Sequence, residues 1–141
     1  MIRVHGTSVA LGDEGILLRG PSGCGKSDLA LRLIDQGGRL VADDQTELHL
    51  DGDEIAMTAP AVIAGRIEVR GLGIVSVPSR ATAPLRLVVD LVPPAEIERM
   101  PEAATCEILG HTIKRVALAP FEASAPAKLR LALRASAMVA P

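Results

Sequence analysis

The sequence predicts an α/β fold: a mixed β-sheet with one helix directly after a glycine-rich loop and a second helix at the C-terminus. Short apolar segments separated by glycines run through most of the chain, and two segments show the helical spacing of apolar residues. The chain has 141 residues, of which 48% are hydrophobic and 23% are charged, and this is enough apolar material for one packed core. We therefore expect residues 1–141 to form a single domain.

The first predicted elements are a β-hairpin and a helix. Residues 7–11 and 15–19 flank a Gly-Asp-Glu turn, a pattern typical of two paired strands. The helix is predicted over residues 27–36, because Leu29 and Leu33 lie one helical turn apart and share an apolar face. Two glycines follow, and glycine readily adopts the left-handed conformation in which many helices end.

The rest of the chain alternates between short strands and turns until a closing helix. Glycine-containing turns around residues 51–53 and around Gly110 predict two further hairpins. Pro126 lies where the first turn of a helix tolerates proline, so the last helix is predicted from about residue 127 to residue 140. The remaining predicted strands cover residues 39–42, 46–50, 54–58, 67–69, 74–77, 85–91, 104–109 and 112–118.

Charge and composition exclude several classes of function. The net charge is −2 and the chain has one Phe, no Trp and no Tyr, so we expect no nucleic-acid partner, which would need a basic surface or aromatic stacking platforms. No stretch approaches the roughly 20 apolar residues of a membrane helix, and no signal-peptide pattern opens the chain. The two cysteines, Cys24 and Cys106, form neither a zinc spacing nor a redox pair. We therefore expect a cytoplasmic protein with no membrane partner.

One motif dominates the sequence. Residues 20–27 fit the phosphate-binding pattern G-x-x-x-x-G-K-[ST], with a predicted strand before them and a predicted helix after them. Glycines let backbone N–H groups turn toward phosphate oxygens, and the helix N-terminus adds partial positive charge. Lys26 is expected to reach the outer phosphates, and the Ser27 hydroxyl is expected to bind Mg²⁺. We call these eight residues the phosphate loop: Gly20, Pro21, Ser22, Gly23, Cys24, Gly25, Lys26 and Ser27.

Two acidic residues follow the next predicted strand. Asp43 and Asp44 come directly after Leu40-Val41-Ala42, and the carboxyl ends of strands are where open α/β sheets place their ligands. Carboxylates in such positions can hold Mg²⁺ or accept a proton from a hydroxyl nucleophile. Glu68, on a short predicted strand before a glycine turn, is a second candidate metal ligand, although such a residue taken alone is more often an exposed strand position.

Four segments, in order along the chain, resemble one known family. They are His5-Gly6, the phosphate loop, Val41-Ala42-Asp43-Asp44 and Ile67-Glu68-Val69-Arg70-Gly71-Leu72-Gly73-Ile74. The chain resembles the catalytic domain of HPr kinase/phosphorylase, and the last segment is the specific one because many unrelated enzymes share a phosphate loop. The resemblance is to the short form seen in alphaproteobacteria, which consists of the C-terminal catalytic domain only, and it implies a P-loop kinase-like mixed α/β sheet.

The resemblance implies an activity and a partner. It implies that this chain, like members of the family, phosphorylates a serine of HPr, the phosphocarrier protein of the sugar phosphotransferase system. The expected cofactor is Mg²⁺ and the expected donor is ATP, with pyrophosphate as the alternative. Members of the family also run the reverse reaction, in which inorganic phosphate attacks phosphoserine and pyrophosphate is released. The resemblance further implies a homo-oligomer.

By position, the resemblance also assigns roles to residues. Asp43 matches the general base that activates the serine hydroxyl, and Asp44 supports that base or the metal. The remaining matches are His5 beside the reacting phosphates, Arg99 holding the phosphate, and Ser27 and Glu68 on Mg²⁺.

Two other functions remain open from the residues alone. A small-molecule kinase would use the same phosphate loop, but it would need its own acceptor pocket and an arginine-rich lid, and the sequence has no arginine-rich segment of that kind. A nucleotide-sensing module would hold ATP without catalysis, and it would need no pair of acids at the strand end.

Overall fold

The computed structural model describes residues 1–134, and in this part of the chain it has eleven strands and two α-helices. In chain order they are β1 (Ile2–His5), β2 (Thr7–Leu11), β3 (Glu14–Arg19), α1 (Lys26–Asp35), β4 (Arg39–Ala42), β5 (Gln45–Asp51), β6 (Glu54–Thr58), β7 (Arg66–Val69), β8 (Gly73–Ser76), β9 (Thr82–Leu91), β10 (Ala104–Ile108), β11 (His111–Leu118) and α2 (Ala125–Arg134). The predicted α/β class, with a helix after the phosphate loop, is confirmed.

Strand β9 lies at the centre of the main sheet. The sheet has the order β1-β5-β6-β9-β3-β2-β4, and β11 pairs with β9 as well and carries β10. Strands β3 and β11 run parallel to β9, whereas β6 runs antiparallel to it. Because β2 pairs antiparallel with both β3 and β4, these two strands share one direction. The carboxyl ends of β3, β4, β9 and β11 therefore meet at the same edge of the sheet.

Hydrophobic clusters cover both faces of this sheet. Neighbouring residues of β3 point to opposite faces, as the period of a strand requires. Leu18 belongs to the cluster that contains Leu29 of α1 and Leu129 of α2, whereas Leu17 belongs to a second cluster with Leu48 of β5. All of these side chains are almost completely buried, so the strand that leads into the phosphate loop is fixed from both sides.

Most predicted boundaries agree with the structure. Each predicted strand lies within one residue of the observed one except β9, which begins at Thr82. The last helix begins at Ala125 rather than near residue 127, and the predicted residues 135–140 lie outside the described part of the chain. Strand β1 is an addition that the sequence pattern does not predict, because three of its four residues are exposed and show no buried alternation. Neither helix within residues 1–134 combines the length and apolar character needed to span a membrane.

Candidate active site

Segments that follow β3, β4 and β11 line a cleft of about 850 Å³, together with the β7–β8 hairpin. The phosphate loop follows β3, Asp43 and Asp44 follow β4, and Phe121 follows β11. The hairpin adds Glu68 and Arg70 to the lining. This volume is in the range of small-molecule binding sites, about 300–1,000 Å³. The sheet topology thus brings motifs that are distant in sequence to one cleft.

The phosphate loop turns at Gly25, directly before α1 begins at Lys26. The φ angle of Gly25 is 107°, in the left-handed region that favours glycine. No side chain in the described part of the chain caps this end of α1, so the amide groups of its first turn are free to bind an anion. Lys26 is 6% exposed, and its Nζ donates hydrogen bonds to the carbonyls of Gly20 (2.7 Å) and Pro21 (3.1 Å). The ammonium group is therefore held against the loop, and Lys26 lines the cleft.

Asp43 is a buried carboxylate that accepts hydrogen bonds from three different elements. Its Oδ1 accepts one from the Ser27 hydroxyl at 2.7 Å and one from the Thr7 hydroxyl at 3.1 Å. Its Oδ2 accepts a third from the backbone N–H of Glu68 at 3.2 Å. A buried carboxylate is costly unless hydrogen bonds replace its water, and these three bonds do so. Asp43 therefore fixes the starts of α1 and β2 and the strand β7 relative to one another.

Asp44 has the opposite environment. Its side chain is 63% exposed, and its Oδ1 lies 2.8 Å from Nε2 of His5. The φ angle of Asp44 is 68°, a left-handed conformation that aspartate tolerates better than most residues. Its N–H donates to the Thr7 hydroxyl at 3.1 Å, and its carbonyl accepts from the N–H of Gly6 at 2.9 Å. The β1–β2 junction thus holds Asp44 in place and presents its carboxylate to the cleft with an imidazole beside it.

The β7–β8 hairpin directs Glu68 outward over the cleft. The two strands form a separate antiparallel sheet in which Glu68 is opposite Ile74. Ile67 is 1% exposed and belongs to the cluster beneath the helices. Because consecutive strand residues point to opposite faces, an inward Ile67 directs Glu68 outward, where it is exposed and lines the cleft. After β8, the N–H of Arg80 donates to the carbonyl of Leu40 at 2.9 Å, which ties the hairpin to β4.

The oxygen donors of the cleft fit Mg²⁺ bound together with phosphates. Within residues 1–134, no three His, Cys, Asp or Glu side chains converge to form an all-protein metal site. Mg²⁺ prefers oxygen ligands, and in phosphate sites it usually takes one or two carboxylates and the oxygens of the phosphates. The Ser27 hydroxyl and the carboxylates of Asp43 and Glu68 all belong to residues that line the cleft. This donor set matches that preference.

Arg99 lies apart from the other predicted site residues. It lines a second groove, of about 520 Å³, together with β11 and α2, and it is not among the residues that line the cleft. The predicted contact between Arg99 and a bound phosphate therefore has no counterpart in the geometry of this cleft. The predicted site residues that the structure does bring together are the phosphate loop, His5, Asp43, Asp44 and Glu68.

A partly buried ion cluster lies at the carboxyl ends of the parallel strands, and no sequence motif points to it. Arg19, which directly precedes the phosphate loop, donates two hydrogen bonds to Asp90 at 2.8 and 3.1 Å, and Arg115 donates a third at 3.1 Å. Burial works to raise the pKa of Asp90, but the two arginines outweigh it and hold that pKa below its ordinary value. Arg19 shares its strand face with Leu17, away from the helices. The cluster therefore braces β3, β9 and β11 on the face opposite α1.

Phe121 also lies outside the sequence motifs. Its side chain is 69% exposed, yet it lines the cleft. The backbone on both sides of it is held to α1, because the Arg32 guanidinium donates to the carbonyl of Pro120 and, at 3.4 Å, to that of Glu122. Arg32 in turn pairs with Asp28 of the same helix at 3.1 Å. The signal that could have identified Phe121 is its uniqueness, since the chain has no other aromatic residue of the Phe, Trp and Tyr types.

The chain is similar in sequence to known proteins. The HPr kinase/phosphorylase of Burkholderia lata is 36% identical over 126 residues, which cover 82% of this chain and 39% of that protein. The HPr kinase/phosphorylase of Clostridium tetani is 48% identical over 77 residues, which cover 55% of this chain and 25% of that protein. The chain thus spans about two fifths or less of the length of these curated relatives.

A solved structure and a family model extend the comparison. The Hpr(Ser) kinase/phosphatase from Coxiella burnetii has a TM-score of 0.83 to this chain at 26% identity, and the match covers 95% of this chain and 89% of that one. The mixed sheet with its two helices is thus similar to the fold of that kinase/phosphatase. The model of the HPr Serine kinase C-terminal domain matches residues 1–125. Because this match takes in the phosphate loop, the acid pair and the β7–β8 hairpin, the chain belongs to the HPr serine kinase C-terminal domain family.

Proposed function

We propose that this chain transfers the terminal phosphoryl group of ATP to a serine hydroxyl of an HPr-type phosphocarrier protein, and that it also catalyses the phosphorolytic reversal. The observation that carries the proposal is the hydrogen bond of 2.7 Å between the Ser27 hydroxyl and Asp43 Oδ1. It joins the phosphate loop to the acid pair in one cleft. The names of the relatives support HPr as the acceptor.

The phosphate loop binds the phosphates of the donor. The free amides at the start of α1 face the cleft with the positive end of the helix dipole, and Lys26 adds a full positive charge. In phosphoryl transfer most of the catalysis is positioning and charge stabilisation, so this end of the site accounts for a large share of the rate.

Mg²⁺ is the cofactor that the oxygen donors favour. The residues that would hold it are Ser27, Asp43 and Glu68, which line the same cleft. When bound, the ion neutralises charge on the phosphate oxygens. The three hydrogen bonds to Asp43 hold its carboxylate and the Ser27 hydroxyl in place, and they fix the backbone from which Glu68 extends.

The contacts of the acid pair favour Asp44, rather than Asp43, as the proton acceptor. Both oxygens of Asp43 already accept hydrogen bonds inside the protein, whereas the Asp44 carboxylate is exposed in the cleft with His5 as its partner.

In the forward reaction the serine oxygen forms a bond to the terminal phosphorus, the bond from that phosphorus to ADP breaks, and the serine proton passes to Asp44. In the reverse reaction an oxygen of inorganic phosphate forms a bond to the phosphoserine phosphorus, and the bond from that phosphorus to the serine oxygen breaks. The proton of the inorganic phosphate passes by way of Asp44 to the serine oxygen, and the pyrophosphate formed is released. His5 positions the carboxylate.

A phosphotransfer assay tests this function. The chain is incubated with Mg²⁺, γ-labelled ATP and an HPr-type protein, and the modified residue is identified by mass spectrometry. We expect one phosphoserine, no labelling of an acceptor in which that serine is replaced by alanine, and release of pyrophosphate when phosphate is added to the product. Transfer to a metabolite with no labelling of the protein would contradict the proposal. A cytoplasmic location and a homo-oligomeric assembly stay predictions from the sequence.

A further inference from the structure

Phe121 is an exposed aromatic residue in the lining of the cleft. The sequence of 141 residues has no other Phe and no Trp or Tyr. Phe121 is 69% exposed although it lines the cleft that holds the phosphate loop. An exposed apolar residue alone needs no explanation, but an exposed ring inside a ligand cleft presents a face on which another flat ring can stack.

The ring lies directly against the phosphate loop. A Cβ atom placed on Gly25 would lie 2.8 Å from Cζ of Phe121 and 3.2 Å from its Cε1, so the tip of the ring lies in contact with Gly25. Gly25 is the last residue before α1, where the amides face the cleft. The ring is therefore a neighbour of the part of the loop that would hold the phosphates.

The sheet order places Phe121 and the acids on opposite sides of the loop. The strands run in the order β11-β9-β3-β2-β4, so the phosphate loop after β3 has Asp43 and Asp44 on the β4 side and Phe121 on the β11 side. Transfer requires the terminal phosphorus to face the acids. The other end of the donor must then extend toward Phe121, and in a nucleoside triphosphate that end carries the base.

The backbone that carries the ring is also fixed before binding. Arg32 fixes the backbone carbonyls on both sides of Phe121, and the N–H of Ala125 donates to the carbonyl of Glu122 at 3.1 Å. Pro120, directly before the ring, is buried. A side chain with a fixed backbone loses less conformational entropy when a ligand binds to it.

We propose that Phe121 is the stacking platform for the base of the phosphate donor. This rests on the proposed phosphoryl transfer and gives a nucleoside triphosphate donor a contact that inorganic polyphosphates such as pyrophosphate do not make. Stacking on an aromatic ring is tolerant of base identity. Purine nucleotides with the same number of phosphates therefore bind about equally well.

The first experiment compares a nucleotide with an anion that lacks a base. Dissociation constants for ATP and for inorganic tripolyphosphate, both with Mg²⁺, are measured by calorimetry on the wild-type chain, F121A and F121Y. We expect F121A to bind ATP roughly tenfold more weakly, since stacking a base on an aromatic ring has an effect of that size. Its affinity for tripolyphosphate stays within about twofold, and F121Y resembles the wild type. As a matched control, L131A removes another exposed apolar side chain, 60% exposed on α2, and changes neither constant.

A second experiment uses the absence of tryptophan from the chain. F121W introduces a single fluorophore at the platform, and we expect ATP and GTP to quench its emission while tripolyphosphate binds and leaves the emission nearly unchanged. This readout is independent of catalysis and of any loss of stability in F121A.

Several outcomes would overturn the inference without touching the proposed function. If the affinities of F121A for ATP and for tripolyphosphate fell by the same factor, the ring would only support the loop. Unchanged ATP binding in F121A, combined with weaker binding of the HPr-type protein, would show that the ring contacts the acceptor instead. A wild-type chain that binds neither ATP nor tripolyphosphate would contradict the proposed function itself, and the inference with it.

Discussion

The two sides of the cleft are built in different ways. We call Asp43, Asp44 and Glu68 the acidic side, and residues 119–124, which contain Phe121, the aromatic side. On the acidic side, side chains bind one another across long sequence separations, as with Ser27 and Asp43 at 2.7 Å. On the aromatic side, a single arginine of α1 holds backbone carbonyls and leaves the one ring in solvent.

The acidic side needs precise placement of its groups, whereas the aromatic side needs only to offer a surface. A proton acceptor must lie within hydrogen-bond distance of its hydroxyl, so its position is fixed by several bonds. A stacking ring tolerates displacement along its own plane, so the hydrogen bonds of one arginine to the backbone beside it are enough. We therefore expect substitutions on the acidic side to reduce turnover, and substitutions on the aromatic side to reduce donor affinity at unchanged turnover.

The largest effect is expected from K26A, between the two sides. Lys26 supplies the only full positive charge of the phosphate loop, and its loss should lower kcat/KM by at least about 1,000-fold because both binding and charge stabilisation suffer. The measurement is steady-state phosphotransfer to an HPr-type protein, with circular dichroism to confirm the fold. As a control, R86A removes a positive charge from an exposed ion pair with Glu54 and should leave the kinetics unchanged. Near-normal activity of K26A would mean that the loop is not the donor site.

The next largest effect is expected from the acid pair and distinguishes its two members. D44N should lower kcat by at least about 100-fold, with little change in the dissociation constant for ATP or in thermal stability, because the exposed carboxylate acts on the acceptor proton. D43N should weaken Mg²⁺-dependent ATP binding and lower the unfolding temperature as well, since it disturbs the three hydrogen bonds of a buried carboxylate.

The exposed hairpin residue Asp51 offers a matched control, and D51N should behave as the wild type. If D44N turned over normally while D43N lost turnover alone, the proton acceptor would be Asp43, as the sequence resemblance implies. The pair of variants thus decides between the two assignments with the same assay.

A smaller effect is expected on the aromatic side from R32A. Without the guanidinium, the carbonyls of Pro120 and Glu122 lose their donor and Phe121 is less well placed, so ATP affinity should fall roughly threefold to fivefold while kcat at saturating ATP is unchanged. If Arg32 acts through the ring, F121A and the double variant should bind ATP equally, and this is measured as a double-mutant cycle. Additive losses would show that Arg32 acts independently of Phe121. R130A, which removes an arginine that contacts Gln36 instead, is the control.

The sequence predicts the acidic side far better than the aromatic one. The phosphate loop is a local pattern, and Asp43 and Asp44 are recognisable from their position at a strand end, so short-range rules are enough to find them. His5 shows the limit of such rules, because a single histidine gains its meaning only when β1 pairs with β5 and brings it 2.8 Å from Asp44. Strand β1 itself is too short and too exposed to give a periodic signal.

The aromatic side and the ion cluster depend on contacts that no local pattern encodes. Phe121 reaches the cleft because β11 lies beside β9, and the sequence does not reveal this parallel pairing. Asp90 looks like the polar end of an apolar strand until the register places it opposite Arg19. In both cases the missing information is which strands are neighbours and in which register, since a shift of one residue would turn each side chain to the other face.

The smallest effect is expected from D90N, because Asp90 pairs with Arg19, which directly precedes the phosphate loop but faces away from α1. The arginines hold the pKa of Asp90 below its ordinary value, against the opposing effect of burial, so its charged form stabilises the folded chain above the unfolded-state pKa of about 3.9. That contribution is lost as the pH falls through the lower pKa of the folded state.

D90N should therefore lower the free energy of unfolding by about 1 kcal/mol at pH 7, a modest value because all three side chains are partly exposed, and the difference from the wild type should shrink below about pH 4. Urea denaturation at several pH values measures both quantities. Because Arg19 and Asp90 brace the strands on the face opposite α1, kcat and the dissociation constant for ATP should stay within about twofold of the wild type. A D90N chain of normal stability but reduced ATP affinity would contradict this expectation. It would mean that Arg19 supports ligand binding by the phosphate loop and does not only brace the strands.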